Sequence, residues 1–232
     1  MTKGIIASAT ACAVLLIAGC GGNDGSAKSG SAPSTARDQL VLVESEFPSG
    51  TKKMDIPQDK LQSTLSNFGA TMATATVTPA ECKGPQLDVA AAGKDILSKA
   101  SFSVASTEDM TMYVDYVSGN VADLPKMVDN HQKCPEVKVS SNTDGKQADS
   151  TTKFDKLTVP AALSGTDAIA YKTTSSTTIG TAVPLDQTTF EGYATVRGLT
   201  VGVRVSTWSD TPDQPAFEKF FTTAVQKVQN AK

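Results

Sequence analysis

The chain is poor in the side chains that most catalytic chemistry needs. Histidine occurs once, at His131, so a Ser–His–Asp relay has a single choice of base and no cluster of imidazoles is available to a metal. There is no H-E-x-x-H, no Walker loop, no EF-hand loop and no G-x-S-x-G elbow. Asp144 and Gly145 fall in a polar turn that lacks the remaining ligand spacing of a calcium loop. No catalytic residue, metal or cofactor is therefore expected. Aromatic residues make up 6% of the chain, with one tryptophan, which argues against a surface for stacking sugars or bases. Lysine and arginine do not cluster, and the formal net charge is −3. Nucleic acid and an anionic membrane surface are not evident electrostatic partners.

What the chain does have is a marked amino terminus. Lys3 precedes an apolar stretch that begins near Ile5 and ends in Leu15-Leu16-Ile17-Ala18-Gly19-Cys20. The stretch is roughly 14 residues long, short of the ~20 needed to cross a bilayer as a permanent helix. It reads as a secretory signal, residues 1–19, whose small residues abut a cysteine. The pattern resembles the lipobox of bacterial lipoproteins, with Ile17 where leucine is usual. The resemblance implies that the Cys20 thiol takes a diacylglyceryl group, that cleavage falls just before it, and that the membrane is a partner through lipidated Cys20. Acyl chains contribute about 0.8 kcal/mol per buried CH₂, so two or three together hold stably where one does not. The expected location is the extracytoplasmic face of the cell membrane.

Residues 20–37 read as a lipidated tether. Gly21 to Thr35 is dominated by Gly and Ser and offers nothing apolar to bury. Residues 38–232 read as one extracytoplasmic domain. Two cysteines remain there, Cys82 and Cys134. An even pair in an exported chain reads as a disulfide. A metal or redox pair is the alternative, but there is no C-x-x-C, and two thiolates do not complete a zinc site.

Along that domain, Gln39 to Ser45 is apolar and β-branched and predicts a strand or entry segment, closed by a turn at Phe47-Pro48-Ser49-Gly50. Pro57 opens a helical spacing of Leu61, Leu65, Phe68 and Met72. Thr74 to Thr78 predicts a strand stopped by Pro79, and a short helical or loop passage follows Cys82. Phe102–Ala105 and Met110–Val117 predict a hairpin. Val121, Leu124, Met127, Val128 and His131 mark one face of a short helix ending before Cys134. Val137 and Val139 predict a strand, and 142–146 a polar turn. Four more strands are expected at Phe154–Val159, Ala168–Thr174, Thr188–Arg197 and Leu199–Trp208, the last two joined by a tight turn at Arg197-Gly198. Thr211 as N-cap, Pro212 in the first helical position and Gln214 closing a capping box predict a final helix. Its apolar stripe is Phe217, Phe220, Phe221, Ala224, Val225 and Val228. Strands outnumber helices without β–α alternation. The expected class is α+β, an antiparallel sheet with helices packed on one face.

Several features together resemble a known family. They are the lipobox, the Gly/Ser tether, Thr78-Pro79-Ala80-Glu81-Cys82, the helix running into His131-Gln132-Lys133-Cys134, the Thr-rich strands, Tyr193 to Val203, and the final helix. This set resembles actinobacterial, mycobacterial-type lipoproteins related to the extracellular sensor domain of the membrane Ser/Thr kinase PknH, or a related lipoprotein family of unknown function. The resemblance implies an α/β sandwich that senses or binds an envelope ligand rather than catalysing a reaction. The kinase sensor carries two disulfides, whereas this mature chain has cysteines for one.

The expected function is a non-catalytic, membrane-tethered binding or sensing domain of unknown ligand, whether an envelope small molecule, a lipid or a protein. A lipid or glycolipid carrier is one alternative, with Met72, Met110, Met112 and Met127 as a lining. An unrecognised envelope enzyme is another. For that, His131 would be the base or Glu108-Asp109 an acid–base pair; both also fit structural roles, a packed histidine and a solvated loop. Trp208 fits a core edge or a pocket wall.

Overall fold

The computed structural model describes residues 31–57, 60, 70–143, 145–208 and 211–232. The leader, Cys20, and the positions Leu61, Leu65 and Phe68 lie outside the described residues. Nine strands form a single antiparallel sheet: β1 Lys52–Met54, β2 Thr76–Thr78, β3 Ala100–Ser106, β4 Met112–Ser118, β5 Glu136–Thr143, β6 Lys146–Leu157, β7 Asp167–Ile179, β8 Leu185–Val196 and β9 Leu199–Trp208. Their spatial order is β1-β3-β4-β9-β8-β7-β6-β5-β2. Described helices are α1 Arg37–Leu40, α2 Lys83–Ser98, α3 Leu124–Lys133 and α4 Gln214–Gln229. The α+β class and the antiparallel sheet agree with the sequence reading.

The helices, however, divide between both faces. Side chains alternate across a strand, so neighbouring residues of β9 serve different layers. Val201, Val203 and Val205 join Phe190 and Ala194 against Phe217, Phe220, Phe221 and Val225 of α4. On the other face, Tyr116, Ile169 and Tyr193 pack with Met72 and Val77, with Val89 and Ile96 of α2, with Leu124 and Met127 of α3, and with Cys82 and Cys134. The sheet thus has an α4 face and a disulfide face. A strand buried on both sides, as β9 is, requires two covers.

Two glycines let the layers close. A Cβ on Gly192 would lie 2.7 Å from the Phe221 ring, and one on Gly202 would strike the ring of Tyr116. The β8–β9 turn needs left-handed backbone at both central residues, and Arg197 (φ 51°) and Gly198 (φ 76°) supply it, as two-residue hairpins prefer.

Several boundaries differ from the sequence reading; β4, for one, begins at Met112, and Met110 sits before it in a turn at φ 67°. Of the two forms expected for Gln39–Ser45, it takes that of an entry segment and not a strand. Leu40 and Leu42 are buried, but side chains take the place of a ladder. The Leu42 N–H donates to Asp115 Oδ2 at 2.6 Å, the Val43 N–H to Glu46 Oε2 at 2.8 Å, and Lys227 Nζ donates to the Val41 carbonyl at 2.8 Å. The passage after Cys82 is a full 16-residue helix, where good helix formers around Ala90 and Ala92 add to buried Val89 and Ile96. Strands β6 and β7 extend well beyond the expected spans, because β-branched threonines pair across the sheet; Ser150 Oγ meets Thr177 Oγ1 at 2.9 Å. Finally, α4 begins at Gln214 with Asp213 as N-cap. Pro215, not Pro212, sits in the first turn, where a missing N–H costs nothing.

Candidate functional site

Strands β8 and β9 are central, yet each carries a charge in the middle of its buried run. Glu191 lies opposite Arg204, and both point to the disulfide face. Arg204 Nη1 is 3.6 Å from Glu191 Oε1. Arg204 Nη2 donates to Thr189 Oγ1 at 3.3 Å, and Tyr193 Oη donates to Glu191 Oε2 at 3.1 Å. Burial raises the Glu191 pKa, while Arg204 and the Tyr193 hydroxyl pull it back. Burial and the Glu191 charge hold the Tyr116 and Tyr193 hydroxyls well above the usual phenol value.

Next along the same face comes β7, where Tyr171 stands opposite Glu191 and Thr173 opposite Thr189. Here hydrogen bonding is incomplete. Tyr116 Oη, Tyr171 Oη, Thr173 Oγ1 and Glu191 Oε1 are buried and have no hydrogen-bond partner. Such atoms cost about 1–3 kcal/mol each when left unmet. Three such hydroxyls on β4 and β7, with the ion-paired Glu191 on β8, make this cluster the strongest candidate for a binding site.

His131 of α3 roofs the cluster. Its ring stacks on Phe154 (centroids 4.5 Å apart, 5° between planes) and meets Tyr171 edge-on at 4.4 Å. Its Nδ1 has no partner. Burial lowers its pKa to about 4, so at neutral pH it packs as an uncharged aromatic ring.

On the α4 face, Asp115 is a third buried charge. Burial raises its pKa to about 7, against the pull of the Leu42 N–H and Lys227, with Glu46 adding to the rise. The pH consequences of these groups oppose each other. Between about pH 4 and 7 the folded state holds the Asp115 proton that the unfolded chain has released, so stability falls as pH rises. His131 does the reverse: the unfolded chain takes a proton below about 6.5, so stability falls as pH drops towards 4. Asp115→Asn keeps an oxygen for Leu42 and removes the first slope. Urea titrations from pH 4 to 8 should show wild type losing ground against the variant as pH rises, by about 1.4 kcal/mol per unit of pKa displacement. Parallel curves would contradict this assignment.

The other sequence candidates separate. Cys82 and Cys134 are joined, with Cα atoms 5.9 Å apart. Glu108 and Asp109 occupy an exposed turn, where Glu108 pairs with Lys52 and Asp109 accepts from the Thr107 hydroxyl. Trp208 sits partly exposed at the end of β9. Asp144 lies outside the described residues, and Gly145 makes its turn at φ 75°. Met72 and Met127 are core, while Met110 and Met112 are exposed, so the four methionines do not line one cavity. A cleft of about 300 Å³ beside α1, β1 and β3 is lined by Asp38, Val41, Lys53, Ile56 and Phe102 and shares no residue with the polar cluster. Among the described residues no group of three His, Cys, Asp or Glu could hold a metal, and no helix is long and apolar enough to cross a membrane.

Sequence reading missed Glu191, Arg204 and Asp115. The signal for the first two was present. Counting outward from the two-residue turn at Arg197-Gly198 places Glu191 opposite Arg204, two opposite charges facing each other on paired strands.

No protein-family profile matches the chain, and comparison with curated proteins finds no similar sequence. Comparison with solved structures finds an uncharacterized protein from Mycobacterium smegmatis, the Rv0999 ortholog. It is 12% identical, with 80% of this chain and 93% of that one covered, at a TM-score of 0.40. At that level the likeness supports no further argument.

Proposed function

We propose that the chain is a non-catalytic, lipid-anchored binding or sensing domain on the extracytoplasmic side of the cell membrane, and that its ligand is a small polar molecule taken up at the Glu191–Arg204 cluster. The observation that carries this reading is the set of three buried hydroxyls on β4 and β7 with no hydrogen-bond partner, together with Glu191 Oε1 of β8, which only the Arg204 ion pair meets. A cluster serving stability alone would be better filled with apolar side chains or fully hydrogen-bonded. A hydroxyl-bearing ligand that both donates and accepts would meet Tyr116, Tyr171, Thr173 and Glu191 together. These atoms are closed off from water as the domain stands, so entry requires movement of the roof that carries His131. Cys134, bonded to Cys82, holds one end of α3. The Ala122 N–H, donated to Thr200 Oγ1 at 2.7 Å, secures the chain before its other end. With both ends held, the movement that admits a ligand is a displacement of α3 between these two points, in keeping with the resemblance to kinase-sensor-type lipoproteins.

Native mass spectrometry of the full chain extracted from its own membrane tests the reading. Wild type should carry a small-molecule adduct. The double variant Tyr171→Phe/Thr173→Val should be at least as stable as wild type, because it removes two unmet hydroxyls, and should lose the adduct. An adduct retained by the variant, or none in either form, would overturn the proposal.

A further inference from the structure

We propose that the domain stands on its Arg197 pole, with the pole bearing Trp208 turned away from the bilayer. This inference rests on lipid attachment at Cys20. The start of the described chain is fastened at one end of the sheet. Arg197 Nε donates to the Ser31 carbonyl at 3.0 Å, and its guanidinium also donates to the Ala231 carbonyl. The Ser34 and Thr35 N–H groups donate to the Lys232 carbonyl at 2.7 and 3.2 Å. The arriving tether, the β8–β9 turn and the end of α4 therefore form one cluster.

From that pole the strands run away. The 13 residues of β7 extend about 40 Å at ~3.3 Å per residue. Cys20 and Ser31 are eleven positions apart. A chain of that length, fully stretched, spans no more than about 40 Å. Inverting the domain would require the tether to run the length of the sheet with nearly all its slack removed. The upright arrangement asks for only a small part of that maximum span.

The orientation decides what an exposed apolar line on the far pole faces. Met112, Trp208 and Leu185 lie on three adjacent strands, β4, β9 and β8, and point to the same face. They are 37%, 38% and 48% exposed. Taken alone, such a line would suit insertion into lipid. Held at the pole opposite the tether, it is out of reach of the membrane that anchors the chain and is presented outward.

Trp208 is the single tryptophan and so a built-in reporter. The test uses the full lipidated chain in phosphatidylglycerol/phosphatidylethanolamine vesicles doped with a dansyl-headgroup lipid as energy acceptor. The comparison protein is Trp208→Phe/Val121→Trp, because Val121 is 53% exposed and adjoins Ala122, which bonds Thr200 near the Arg197 turn. Energy transfer from the relocated tryptophan should exceed that from Trp208 several-fold. Equal transfer, or stronger transfer from Trp208, in protein that floats with the vesicles would overturn the orientation alone. Protein that does not float would overturn the Cys20 anchor and this inference with it.

Discussion

Phe221→Ala should lower the free energy of unfolding by about 3–5 kcal/mol, a large share of the 5–15 kcal/mol typical of a domain. Phe221 has no exposed surface. It fills the space left by Gly192, where even a methyl group would be too close, and it packs 6.0 Å from the ring of Phe217. Removing the ring opens a cavity between α4 and the sheet that the rigid hairpin below cannot collapse to fill. Urea denaturation of soluble residues 38–232, wild type against variant, measures the loss. An unchanged midpoint would mean that α4 is not part of the core, and that its phenylalanine stripe serves a partner instead.

Loss of the Cys82–Cys134 bridge should cost a similar amount. The cysteines are 52 residues apart, and closing a loop of that length removes about 4 kcal/mol of chain entropy from the unfolded state. The bridge also ties the start of α2 to the end of α3, over Val137 and Phe154. Paired Cys82→Ala/Cys134→Ala substitution should therefore lower the melting temperature strongly and loosen the disulfide face before the α4 face. Hydrogen exchange resolves the order: protection should fall first in α2 and α3, with β8, β9 and α4 retaining theirs longer. A uniform loss would mean that the two layers open as one unit.

How much of this was legible in the sequence depended on how far apart the interacting residues lie. Strand β9 and the turn at Arg197-Gly198 follow from local pattern, since period-2 apolar spacing and a two-residue turn are both short-range signals. The stripe of α4 is equally local. The segment around Leu42 was not legible, because its backbone is met by Asp115 and Lys227, residues that are distant in sequence and carry no mark of that role. The distribution of helices over two faces also depends on partners far along the chain. Tyr116, Tyr193 and Val203 are all apolar-compatible strand residues; only the assembled sheet shows which layer each joins. The polar cluster fell between these cases. The register of Glu191 against Arg204 is fixed by a turn that was recognised, and two charges facing each other in buried strands were a site waiting to be counted out. The unmet hydroxyls of Tyr171 and Thr173 come from β7 and required the third strand.

The central claim is a domain held to the outside of the membrane by Cys20, and metabolic labelling tests it most directly. Cells expressing the full chain are fed an alkyne fatty acid, and the purified protein is examined for label and for the mass of its amino terminus. Wild type should be labelled and should begin at Cys20. Cys20→Ala should carry no label and should keep its leader, because cleavage depends on the lipidated cysteine. Equal label in the two proteins, or a wild type cut elsewhere and unlabelled, would contradict the account.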